Sequence, residues 1–130
     1  MNQGGLIYEE LSYKLRGILF QVHNELGRYR NEKQFCDAIS QHLLEHGIMF
    51  EREKILDISF EGERRGRCRL DFMVEDKIII EVKTVPYLSQ ADFNQCKRYL
   101  VSGGFKLCLL VNFRSESCII RRVLNPNLIN

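Results

Sequence analysis

The run Ile78-Ile79-Ile80-Glu81-Val82-Lys83 constrains this chain more than any other stretch. Its isoleucines and valine are stiff at χ1 and suit a pleated strand at the centre of a sheet. A tight Glu75-Asp76-Lys77 turn precedes it and Pro86 closes it, so the strand is expected from Ile78 to Val85. A second strand around Arg67–Val74 leads into the same turn, which makes the pair a hairpin.

The flanking sequence has a different period. Ile7, Leu11, Leu15, Ile18, Leu19, Val22 and Leu26 recur at helical spacing between Leu6 and Leu26, with Gly27 as a stop. Asn31 is the expected N-cap of a second helix that buries Phe35, Ala38, Ile39, Leu43 and Leu44, and Gly47 fits a left-handed cap at its end. Residues 50–60 change to a strand pattern, followed by a polar segment from Glu61 to Gly66. Ser89 caps a third helix reaching Val101, with Gly103 and Gly104 after it. A buried strand at Phe105–Val111 and an edge strand at Cys118–Val123 follow, and the last seven residues read as a loosely held tail. The order α-α-β-β-β-α-β-β specifies an α/β fold, a mixed central β-sheet flanked by helices.

A length of 130 residues suits a single domain spanning 1–130, and 45% apolar with 28% charged residues is ordinary for a folded one. No apolar run reaches the length of a membrane span, and no basic region feeds an apolar leader, so a cytoplasmic location with no membrane partner is expected. A net charge of +2 permits a nucleic-acid partner without arguing for one. The cysteines at 36, 68, 96, 108 and 118 form no CxxC pair and read as reduced core thiols.

The hairpin carries the chemistry. Glu81 and Lys83 share one face of their strand, roughly 6.6 Å apart. If Glu75-Asp76-Lys77 is a three-residue loop, Val74 stands opposite Ile78 and Asp71 opposite Glu81, with both carboxylates on the side of Lys83. A two-residue loop would put Asp71 on the other face. Two carboxylates so close repel unless a cation lies between them, which is the logic of a Mg²⁺ or Mn²⁺ site. Such a cation activates water, and a neighbouring lysine orients that water or offsets charge on a phosphoryl group. On the residues alone, an ion pair between Glu81 and Lys83 on a solvated face fits equally.

Asp71 followed by Glu81-Val82-Lys83 resembles the D…(D/E)xK signature of the PD-(D/E)xK, restriction-endonuclease-like nucleases. With Val22–Gly27, Glu32–Phe35, Gly66–Lys83, Asp92–Gln95, Tyr99-Leu100 and Leu109–Phe113, the chain is similar over almost its whole length to the small GxxExxY family within them. Glu32 and Phe35 match that family's name motif, whereas Tyr29 stands where its first glycine is usual. The resemblance implies a restriction-endonuclease-like core. It further implies that Glu32, from the preceding helix, completes a metal set with Asp71 and Glu81. Gln95, on the helix after the ExK strand, then faces the site. Read without it, Glu32 is a first-turn glutamate favoured by the helix dipole, Gln95 a polar helix residue and Tyr99 a core aromatic.

Arg64, Arg65, Arg67 and Arg69 form the densest basic run, and Arg67 and Arg69 share the parity of Asp71. They suit phosphate contacts, or equally a solvated turn that neutralises the acidic cluster. His23, His42 and His46 form no metal set. The leading expectation is a Mg²⁺-dependent nuclease acting on DNA, with Glu32, Asp71, Glu81, Lys83 and Gln95 as its site. The alternative is a catalytically inactive module that binds nucleic acid or protein. A chain this short leaves little for a separate recognition element, so specificity would come from loops, a homodimer or a protein partner.

Overall fold

The structure, a computed structural model, describes residues 6–56 and 68–128. The elements are α1 (Glu9–Leu26), α2 (Glu32–Glu45), β1 (Phe50–Leu56), β2 (Cys68–Val74), β3 (Ile78–Lys83), α3 (Gln90–Gly103), β4 (Leu107–Asn112) and β5 (Ile119–Leu124). The strands form one mixed sheet in the order β1-β2-β3-β4-β5, the mixed α/β architecture expected. Every neighbouring pair is antiparallel except β3 and β4, which run parallel and are joined across the sheet by α3.

Both faces of the sheet are covered. Phe72, Val74, Ile78, Ile80, Val82, Leu107, Leu109 and Val111 pack with α1 and α2, and Phe35 of α2 stacks on Phe113 with ring centroids 4.3 Å apart. Met73, Ile79, Cys108, Leu110 and Val123 pack with α3 through Cys96, Tyr99 and Leu100. Ile78 to Val82 are all nearly inaccessible, and each buried isoleucine contributes about 2 kcal/mol of apolar transfer. No helix among the described residues is long and apolar enough to cross a membrane.

Local chemistry sets the boundaries, and several fall away from those expected. The first helix begins three residues after Leu6, because Tyr8 takes a left-handed conformation with φ 54°. Asn31 caps α2 reciprocally: its Oδ1 accepts from the Gln34 N–H at 2.8 Å, and its own N–H donates to Gln34 Oε1. At the other end the Gly47 N–H reaches Leu44 O and the Ile48 N–H reaches Leu43 O, with Gly47 at φ 66°. Leu44 points outward at 64% exposure rather than into the core. The last turn directs Leu43 inward instead.

Strand β3 stops at Lys83, two residues before Val85. There the Asn112 side chain replaces a neighbouring strand, accepting from the Val85 N–H and donating to Val85 O. Strand β4 begins at Leu107 because the Phe105 N–H is engaged in closing α3 on Leu100 O. Up to Leu128, the last of the described residues, the segment after β5 is better held than a loose tail. Asn125 is buried and donates its amide to Leu100 O and Phe105 O, pinning the segment after β5 to the end of α3. Cys36, Cys96, Cys108 and Cys118 are free thiols.

Candidate active site

The three-residue hairpin is present: Val74 pairs with Ile78, Met73 with Ile79 and Phe72 with Ile80. Beyond Phe72 the backbone ladder between β2 and β3 gives way to side chains. The Asp71 N–H donates to Glu81 Oε1 at 3.1 Å, and the Val82 N–H donates to Asp71 Oδ2 at 2.7 Å. The two carboxylates thus occupy a fork between diverging strands, each holding the other strand's backbone.

A kink in the neighbouring edge strand contributes to the fork. Glu53 lies across from Asp71, between the pairs Arg52–Phe72 and Lys54–Leu70, and has a left-handed φ of 56°. The facing of β2 changes at this point. Phe72 packs toward α1 and α2, whereas Leu70 packs on the α3 side with Leu56. Simple alternation along the strand does not foresee this change, which leaves Asp71 at the seam.

Glu81 is buried to 4% exposure and Asp71 is half-buried. Burial pushes the Glu81 carboxyl well above its ordinary range, and the adjacent Asp71 charge pushes it the same way. Burial also raises Asp71, with the Val82 N–H partly offsetting it. Two crowded carboxyls of this kind are relieved by a shared proton or by a cation.

Lys83 follows on the same strand. Its Nζ donates to Gln95 Oε1 at 3.3 Å and lies 3.7 Å from Asp92 Oδ1, both on α3. The start of α3 is therefore tied to the lysine. Ser89 accepts from the Asp92 N–H while Asp92 Oδ2 accepts from the Ser89 N–H, and the other oxygen of Asp92 faces Lys83.

On the opposite side, α2 presents Glu32 to a cleft of about 310 Å³ that it lines with Asp71, Arg52, Glu53 and Arg69. Glu32 is exposed, and its carboxyl is raised by partial burial and by the Asp71 charge, with Lys83 opposing. Arg69 reaches Glu53 at 3.4 Å, and Arg52 is tied to Asp37 at 2.7 Å.

Asp71, Glu81, Lys83 and Gln95 are thus brought together, and Glu32 and Arg69 share the adjoining cleft. Tyr99 is buried in the core on the α3 side. Arg67, with Arg64 and Arg65, lies outside the described residues. Among the described residues no three of His, Cys, Asp or Glu close into one metal cage, and Glu32 reaches the Asp71–Glu81 pair through the cleft it lines with Asp71. That pair fits a hard divalent cation, since its oxygens suit Mg²⁺ or Mn²⁺, ions that retain several waters of their own.

Sequence reasoning missed Asp92 and Glu53 as neighbours of the site. The Ser89-Gln90-Ala91-Asp92 capping motif was the available signal for the first. Glu53 owes its place to a backbone kink that has no glycine or asparagine to announce it.

A family model described as the PD-(D/E)XK nuclease superfamily matches residues 9–123. Among solved structures, the chain is similar to the crystal structure of an alkaline exonuclease (LHK-Exo) from Laribacter hongkongensis. The TM-score is 0.50 at 13% identity, covering 98% of this chain and 73% of that one. A likeness at that identity concerns the fold. No curated protein matches the sequence.

Proposed function

This chain belongs to the PD-(D/E)XK nuclease superfamily, and we propose that it hydrolyses phosphodiester bonds in DNA with the help of Mg²⁺ or Mn²⁺. The observation that carries this reading is the fork, in which Asp71 and Glu81 face each other beside a lysine oriented from α3. The resemblance to the GxxExxY family supports the same choice of residues.

Asp71 and Glu81 hold the cation in this reading, with Glu32 contributing from across the cleft. When bound, a divalent cation supplies Lewis-acid activation of water and phosphate. Lys83 positions the attacking water and steadies negative charge developing on the phosphoryl oxygens. Gln95 and Asp92 fix the ammonium group, so that little reorganisation is needed as the reaction proceeds. Arg69 supplies a phosphate contact at the cleft it lines with Asp71, and Arg67, outside the described residues, is proposed from the sequence alone to supply another.

Replacing Asp71 or Glu81 with Ala should abolish Mg²⁺-dependent cleavage of DNA while circular dichroism shows a retained fold. Equal cleavage by the purified variants would overturn the reading. Crystals soaked in Mn²⁺ should carry metal density at Asp71 and Glu81, and density reaching Glu32 would complete the set.

The second reading is a catalytically inactive module that keeps the fold and binds nucleic acid or a protein partner. That module would bind DNA equally well in EDTA and cleave none of it. In either case specificity comes from surface loops, a homodimer or a protein partner.

A further inference from the structure

We propose that a rim of aromatic and basic side chains at the Lys83 end of the sheet is a stacking track for single-stranded DNA. Which polymer lies there rests on the nuclease reading; the track itself rests on four side chains, Tyr29, Arg28, Arg114 and Tyr87.

The track starts at the link between α1 and α2. Tyr29 is 77% exposed, three residues before Glu32, and the Arg28 guanidinium carbon lies 5.1 Å from its ring centroid. Arg28 Nε donates to Arg114 O at 2.9 Å, and Arg114 Nε donates to Arg28 O at 3.0 Å. This reciprocal clasp fixes both guanidinium groups without neutralising either. Neither forms an ion pair with a carboxylate among the described residues. Two cations held together in this way favour an anion between or beside them.

Arg114 follows closely on Asn112, the strand partner of Lys83, so the clasp sits at the same end of the sheet as the lysine. The next residue, Ser115, is half-buried and lines a groove of about 410 Å³ together with Tyr87, itself 86% exposed. Tyr87 lies four residues beyond Lys83. Tyr29 with Arg28, the Arg28–Arg114 clasp and the groove that Ser115 and Tyr87 line are thus linked in turn, each step through a contact or a chain neighbour.

Exposed aromatics that leave open faces stack on nucleobases, and guanidinium groups between them contact phosphates. A duplex hides its base faces except at its ends, so two such rings select an unpaired strand or a frayed terminus. A purely electrostatic rim would need the arginines and not the rings.

The test is fluorescence anisotropy in EDTA, where cleavage does not intervene. The probes are a labelled single strand of about 12 nucleotides, the same sequence as a duplex, and an abasic strand of equal length. Wild type should bind the single strand at least about tenfold more tightly than the duplex. Tyr29→Ala and Tyr87→Ala should each weaken single-strand binding about tenfold, with Tyr29→Phe restoring it. On the abasic strand, Tyr29→Ala and wild type should bind alike. Equal affinity for single strand and duplex, a neutral Tyr29→Ala, or an equal loss on the abasic strand would each overturn the track. Cleavage by Asp71→Ala is scored separately. Its loss beside a neutral Tyr29→Ala removes the track and leaves the nuclease, whereas its persistence removes the nuclease reading instead.

Discussion

At the residue scale, Glu81 is a carboxylate placed where the fold gains little from its charge. It is buried, crowded by Asp71, and held in place through a backbone N–H that a neutral amide would satisfy equally. Glu81→Gln should therefore unfold at higher urea than wild type in chelator at neutral pH, with a gain of about 1 kcal/mol or more. Adding Mg²⁺ should raise the Tm of wild type and leave Glu81→Gln unmoved, because only the charged pair gains from the cation. A wild type that matches the variant in both measurements would show that the pair does not hold a metal. Lys83→Ala should leave the Tm shift by Mg²⁺ in place while lowering kcat by about a hundredfold, separating cation binding from the chemical step.

At the scale of the elements, the loops that begin and end each segment place the site. Helix α2 carries Glu32 in its first turn, and Asn31 closes that turn through its capping box. Asn31→Ala should cost about 1 kcal/mol, read as a shift in the urea midpoint with unchanged slope. The packing of α1 on α2 includes His42 Nε2 against Glu25 Oε1 at 2.9 Å. The hydrogen bond from His42 holds the Glu25 carboxyl below its ordinary 4.5. Because the folded value is depressed, the stabilisation is present above 4.5 and is lost as pH falls through the lower folded value. The Tm difference between wild type and Glu25→Gln should accordingly be at full size just above pH 4.5 and shrink as the pH is lowered below it. Asn112 supports the chain after β3 with two hydrogen bonds to Val85, and Asn112→Ala should cost about 2 kcal/mol in urea unfolding.

The sequence made most of this order legible for a physical reason. Helical spacing, strand alternation and capping residues are local signals, and the Ile78–Lys83 run could only be central. The hairpin register followed from a loop length, so the partnership of Asp71 with Glu81 was within reach. The shortened β3 was not, because it depends on a side chain from β4, distant in sequence. Nor was the kink at Glu53, where tertiary packing imposes a left-handed conformation on an ordinary residue. Asn125 illustrates the same limit. A polar residue near a terminus reads as tail until the carbonyls it satisfies are known.

For the molecule as a whole, the fork makes the sheet unequal in strength along its width. Strands β3, β4 and β5 are laced together along their full lengths, whereas β2 and β3 share a backbone ladder only from Phe72 to Val74. Past that point two ionisable groups do the work of carbonyls. The amide protons of Asp71 and Val82 are consequently built-in reporters: their hydrogen-exchange rates and chemical shifts follow the charge on the very carboxylates they touch. In ¹H–¹⁵N spectra, a titration with Mg²⁺ should move these two resonances first, before the amides of β4 and β5 respond. The line along which the sheet is easiest to part is also the line along which its chemistry can be watched.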